Sequence, residues 1–233
     1  MTPPPPCRLS LVFAAEAPVA VIVRRGPSRW AQVTRWNTAT DTLETGTWFH
    51  GRIYAERCGL SPDGALFVYF AMKYGPVNTA AGYKWTYTAI SRPPYLTALA
   101  MWPQGDTWGG GGRFIDRRTL RLAYGLSGTS HPGVADTTLY MGPLPAAHPN
   151  HPPVGLRILG GLDRYDPDLS FRTAPATNTH WQGRDHGGRA IEVRDGALYS
   201  WNARNERILL RDFNGDVPQP IAPPPEAAVW PNE

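Results

Sequence analysis

The sequence predicts an all-β chain built from antiparallel meanders, and three observations carry that prediction. Strand-length runs recur every roughly eight to twelve residues with no helical period between them, the spacing of hairpin-connected strands. The composition agrees: 9 Trp, 10 Tyr and 7 Phe sit among 24 Gly and 25 Pro in 233 residues. Gly and Pro interrupt helices, while aromatic rings favour half-buried pleated surfaces. The third observation is the stretch RCGLSPDGALFVYFAMKY, Arg57 to Tyr74. In its Ser61-Pro62-Asp63-Gly64 turn, Pro62 pre-sets φ, Asp63 bonds nearby backbone, and Gly64 takes the left-handed conformation that closes a bulged hairpin. Leu66 to Met72 follows, apolar on both faces, as a strand in the interior of a sheet requires.

Taken in order, residues 1–6 are a proline-rich arm, because TPPPP lacks the amide donors that a ladder needs. A single β domain is expected over residues 7–217. Leu9 to Phe13 and Val19 to Val23 read as its first strands. Arg29 to Trp36 alternates polar and apolar residues as a strand with one wet face does, and Thr42 to Phe49 is a fourth strand beyond the polar turn Asn37 to Asp41. The Ser61-Pro62-Asp63-Gly64 hairpin, Lys84 to Ile90, a proline turn at Arg92-Pro93-Pro94 and Leu96 to Trp102 make a second unit of the same kind. Thr119 to Tyr124 is a strand after the glycine-rich Gln104 to Gly112. A long loop is expected at about residues 125–154, where prolines are frequent and apolar runs few. Leu156 to Leu159, Arg189 to Val193, Ala197 to Trp201 and Arg207 to Phe213 are further strands, the second and third of these joined by an Asp195-Gly196 turn. Residues 218–233 are a proline-rich tail ending near Trp230, read as docking across the domain.

The four-strand units, with Ser61-Pro62-Asp63-Gly64 ahead of Leu66, Val68 and Tyr69, resemble the blades of bacterial β-propellers with tryptophan-aspartate-like repeats. A looser echo is Arg194-Asp195-Gly196-Ala197-Leu198-Tyr199. The resemblance implies an irregular or small propeller-like domain; a β-sandwich is the alternative, since no repeat period runs cleanly through the chain. The chain also resembles a bacterial protein family that brings no activity with it.

Charge narrows the partners. The net charge is +4, from 23 basic and 19 acidic residues spread along the chain, with Lys73 and Lys84 the only lysines. Such a distribution lacks the clustered basic footprint of a nucleic-acid binder. No segment has the ~20 apolar residues of a membrane-spanning helix. Cys7 and Cys58 stand in no metal-ligand spacing and make no disulfide framework, so a reducing cytoplasm is the expected location. Secretion is the alternative, because Leu9 to Ala15 and Ala15-Glu16-Ala17 echo a signal peptide; the run is short and follows prolines rather than a basic segment.

No cofactor or metal is expected. Gly109 to Gly112 lacks the Lys-Ser or Lys-Thr and the helix start of a phosphate loop, so a tight turn or close backbone approach explains it. His148, His151, His180 and His186 read as surface histidines. Asp163, Asp166 and Asp168 lack the glycine and distal glutamate of a calcium loop. Gly125-Leu126-Ser127-Gly128 stops one residue short of a nucleophile elbow. What remains is a surface of aromatic, arginine and polar residues in or beside turns, the usual anchors of a binding face. The binding residues expected are Tyr54, Arg92, Tyr95, Asp106, Trp108, Arg113, Trp181, Asp185 and His186. The expected function is a non-catalytic binding or scaffold domain for a protein partner or small polar ligand. The alternative is a hydrolase or lyase acting on a polar or sugar-like substrate, with Asp106, Asp163 or Asp185 as acid and base.

Overall fold

Strand β1 (Arg8–Phe13) begins the first of four sheets. The computed structural model describes residues 4–26, 28–73, 85–107, 109–123, 156–159 and 180–231. In the first sheet β1 pairs with β2 (Val19–Arg25), β2 with β3 (Trp30–Asn37) and β3 with β4 (Thr42–His50), all antiparallel. In the second, β5 (Arg52–Ile53) and β6 (Gly59–Leu60) both pair with β7 (Phe67–Met72), which continues antiparallel to β8 (Thr86–Ser91) and β9 (Ala100–Pro103). The third contains β10 (Gly112–Asp116) antiparallel to β11 (Thr119–Leu122), with β12 (Arg157–Leu159) parallel to β11. The fourth is the antiparallel meander β13 (His180–Arg184), β14 (Ala190–Arg194), β15 (Ala197–Trp201) and β16 (Arg207–Asp212). The regular helical structure among the described residues is confined to two short 3-10 turns, Ala55–Arg57 and Pro225–Ala228. The chain is all-β, and no described sheet closes into a barrel.

Side-chain alternation explains how the sheets stack. Along β2, Val19, Val21 and Val23 join one apolar cluster with Phe67, Tyr69 and Ala71 of β7. Ala20 and Ile22 point the other way, into a cluster with Ile191, Val193, Leu198 and Phe213 of the fourth sheet. The first sheet is therefore covered on both faces, and its continuous apolar run is the consequence. The same logic applies to β7, whose Val68 joins a third cluster with Ile90, Trp102, Phe114, Leu120 and Leu122. The stacking order is fourth, first, second, third. Each fully buried Val, Ile or Phe contributes roughly 1.5–3 kcal/mol to holding these layers together.

Polar clamps fix the first sheet to the fourth. Arg189 donates to both carboxylate oxygens of Asp41 at 2.7 and 2.7 Å and to Asp185 Oδ2 at 2.9 Å. On the other side Arg24, 3% exposed, donates to the carbonyls of Phe213 at 2.9 Å and Asp216 at 3.2 Å. Burying that guanidinium is tolerated because its N–H groups are hydrogen-bonded to those carbonyls.

Turn chemistry follows the sequence. Gly64 has φ +76° and its N–H bonds Ser61 O at 2.8 Å. Asp195 and Gly196 have φ of 49° and 81°, the two positive values that a type I′ hairpin turn needs. The differences are instructive. β13 and β10 fall where no strand was expected, since His180–Arg184 is polar with an internal glycine and β10 starts on Gly112. β9 is shorter than the expected Leu96 to Trp102, because Leu96 to Ala98 run outside the ladder after the Pro93-Pro94 turn and the first bond to β8 is that of the Leu99 N–H to Ile90 O at 2.8 Å. The parallel β12 departs from a purely antiparallel meander. The expected loop at about 125–154 lies outside the described residues.

Candidate functional site

One end of the interface between the first two sheets opens into a cleft of about 390 Å³. Three turns and one strand pair build it. Arg35 on β3 and Glu44 on β4 face each other across the ladder and line one side. Asp63, Gly64 and Ala65 of the hairpin turn line a second, and Arg92, Pro93 and Tyr95 a third. The tail closes the remaining side with Pro224, Glu226 and Ala227.

Most polar groups here are held by the fold. Asp63 Oδ1 accepts from Ser61 Oγ at 2.5 Å and from the Ala65 N–H at 3.0 Å, so this carboxylate is a turn-closing group. Tyr95 Oη donates to Glu44 Oε1 at 3.3 Å, and the Tyr95 N–H bonds Arg92 O at 3.0 Å. Burial, then the charge and hydrogen bond of Glu44, then the charge of Glu226, raise the Tyr95 phenol above its ordinary value. At neutral pH it is therefore a hydrogen-bond donor and not a base. Arg92 Nη1 donates to the carbonyls of Glu226 at 2.9 Å and Val229 at 3.4 Å, which pins the tail. Arg35 differs: among the described residues its guanidinium makes no hydrogen bond, ion pair or ring contact, and it is only partly exposed.

Of the residues expected to bind, the cleft unites Arg92 and Tyr95. The others lie elsewhere. Tyr54 is 8% exposed, its ring 5.0 Å from Phe70 and under the guanidinium of Arg52 at 4.4 Å, so it is a core residue rather than a loop anchor. Trp181 belongs to β13 and stacks on Phe13 with centroids 6.1 Å apart, packing the fourth sheet onto the first. Asp185 is buried and tied to Arg189 through both oxygens. His186 is exposed on the same turn. Asp106 caps the second sheet through its carbonyl, which accepts from Thr86 Oγ1 at 2.6 Å, and Arg113 lies on β10. Trp108 is outside the described residues, as are His148, His151, Asp163, Asp166, Asp168 and the stretch Gly125 to Gly128.

The glycine-rich stretch is a close backbone approach. Gly111 has φ +87° and a Cβ there would collide with the Arg57 carbonyl. Its N–H bonds Thr88 Oγ1 at 2.8 Å, and β10 begins at the next residue, so no helix start faces a phosphate. Among the described residues no group of three or more His, Cys, Asp and Glu side chains could hold a metal ion. No described helix is long and apolar enough to cross a membrane.

Arg35, Glu44 and Glu226 were not legible as site residues. The one local signal is Arg35 itself. It continues the face of β3 that carries Ala31 and Val33 into the core, an unusual position for a cation that makes no ion pair or hydrogen bond among the described residues. No protein-family model, curated protein or solved structure matches this chain.

Proposed function

We propose that this chain is a non-catalytic binding domain, its meander sheets arranged as blades of a small propeller-like body, and that its ligand or partner sits in the cleft between Arg35 and Tyr95. The observation that carries the reading is Arg35: a partly shielded guanidinium lining a cleft, with no partner among the described residues, calls for an anionic or carbonyl-bearing group from outside. Tyr95 adds a donor held by Glu44, and Glu226 an outward carboxylate, so the cleft suits a small polar ligand carrying both an acceptor and a cation. Support for binding over turnover comes from the carboxylates. Asp185 is committed to Arg189 and Asp63 to its own turn, which leaves neither placed as an acid or base. The propeller-like arrangement is supported by the four-stranded meanders packed face to face. Two buried free thiols fit a reducing compartment.

The test is a calorimetric titration of the intact protein with amino acids, dipeptides, dicarboxylates and sugar acids, alongside chromogenic glycosides and esters. At least one zwitterionic or anionic compound binds saturably, and Arg35→Ala weakens it tenfold or more while the urea midpoint stays in place. No saturable binding up to about 10 mM refutes the cleft as a ligand site. Turnover abolished by Glu44→Gln moves the chain to the hydrolase or lyase reading.

A further inference from the structure

The tail is held as a peptide ligand is held. Between Asp216, whose N–H bonds Phe213 O, and Pro224 no backbone hydrogen bond to the described residues fixes the chain, and Val217 is 70% exposed. At Pro224 a 3-10 turn begins, closed by Ala227 N–H on Pro224 O at 2.9 Å. Ala227 and Trp230, three residues apart, are 2% and 8% exposed, while Glu226 and Val229 face solvent. Trp230 enters the apolar cluster shared by the second and third sheets. Arg92 reads only main-chain carbonyls, those of Glu226 and Val229. Among the described residues the buried Trp230 Nε1 has no hydrogen-bond partner, so the fit is imperfect where it is deepest.

We propose that the surface beneath the tail is a peptide-docking site, occupied in this chain by its own C-terminal segment and open to exchange with a partner's segment of the same pattern. The pattern is set by what is enclosed and what is open: two prolines, any residue, a small residue, a half-buried position, an open position and an aromatic anchor, as in Pro224-Pro225-Glu226-Ala227-Ala228-Val229-Trp230. The prolines pre-set the extended entry and lower the ordering cost of binding. The main-chain grip of Arg92 is indifferent to side chains, which makes the site tolerant between its two anchors. The segment is tethered through a linker that makes no backbone hydrogen bond to the described residues, so its local concentration is of millimolar order and a free peptide competes poorly against it. The proposal rests on the tail contacts and is independent of a ligand in the cleft, though the tail forms one wall of that cleft.

The experiment titrates a fluorescein-labelled peptide of residues 217–231 into the unaltered full chain and into the full-length Trp230→Ala variant. The variant, its own anchor removed, binds the peptide at least tenfold more tightly than the unaltered chain, and the same peptide carrying Trp230→Ala binds neither. Equal affinity for both proteins, or no binding to a Trp230→Ala variant that melts cooperatively, overturns the proposal. Hydrogen exchange on the unaltered chain decides the matter if the variant fails to fold. Exchange of the Ala227 and Val229 amides at least a hundredfold faster than those of β7 supports a displaceable segment, and exchange as slow as β7 overturns it.

Discussion

Replacing Gly64 by Ala separates backbone strain from packing, because the structure supplies a matched control. Gly64 and Gly188 have nearly the same φ, +76° and +80°. A Cβ at Gly188 meets nothing within 4 Å among the described residues, whereas at Gly64 it lands 2.8 Å from Val19 Cβ and 2.9 Å from Val19 Cγ1. Val19 is 6% exposed in the cluster that joins the first two sheets, so it cannot swing into solvent without opening that layer. Left-handed backbone in a residue with a Cβ costs about 1–2 kcal/mol. Overpacking a filled core adds about 1–3 kcal/mol. Gly188→Ala is therefore expected to lose about 1–2 kcal/mol and Gly64→Ala about 2–5 kcal/mol, read from urea midpoints at constant slope. The double variant Gly64→Ala with Val19→Ala should show a favourable coupling of about 1 kcal/mol or more, since the two sites touch. Equal losses for Gly64→Ala and Gly188→Ala would refute the claim that the hairpin turn is packed against the first sheet.

Three other outcomes are expected. Trp36→Ala should cost about 3–5 kcal/mol, because the ring is fully buried between the first and fourth sheets; a loss under 1 kcal/mol in the same melts contradicts that packing. The hydrogen bonds from Arg189, opposed by partial burial, hold the Asp41 carboxyl below its ordinary value of 3.8, so their stabilisation is present above about pH 4 and is lost as the pH falls through the lower folded value. Unfolding midpoints of the unaltered chain should fall more steeply below pH 4 than those of Asp41→Asn, and parallel curves would remove the clamp's contribution. Burial raises both thiols, Cys7 to about 11, so neither should react with Ellman's reagent at pH 8 until denaturant is added; rapid labelling of the folded chain would contradict their burial.

The sequence alone determined which segments extend and where they turn, because those choices are local. Pro62, Asp63 and Gly64 force a turn whatever surrounds them, and the Val19 to Val23 and Leu66 to Met72 runs demand burial on both faces wherever they are placed. It could not determine which faces meet. That β2 splits its side chains between the second and fourth sheets depends on contacts far apart along the chain, such as Ile22 with Val193, for which no short pattern exists. The same limit governs the site. Arg92 and Tyr95 were legible because they sit in a proline turn, but Tyr54 and Trp181 looked equally exposed beside their turns and were drawn into the core by Phe70 and Phe13. Asp185 stood as a free carboxylate although Arg189, four residues on in the same turn, engages it locally; only the pairing of that arginine with Asp41 had to wait for the stacking of two sheets. Tertiary packing alone decided that Arg35, placed on a core-facing register, would emerge at the end of the interface with no ion pair or hydrogen bond among the described residues, and that a tail from the fourth sheet would close the cleft beside it. Turn chemistry acts over a few residues and can be read from them. Burial and charge pairing act between surfaces that exist only after the sheets have stacked.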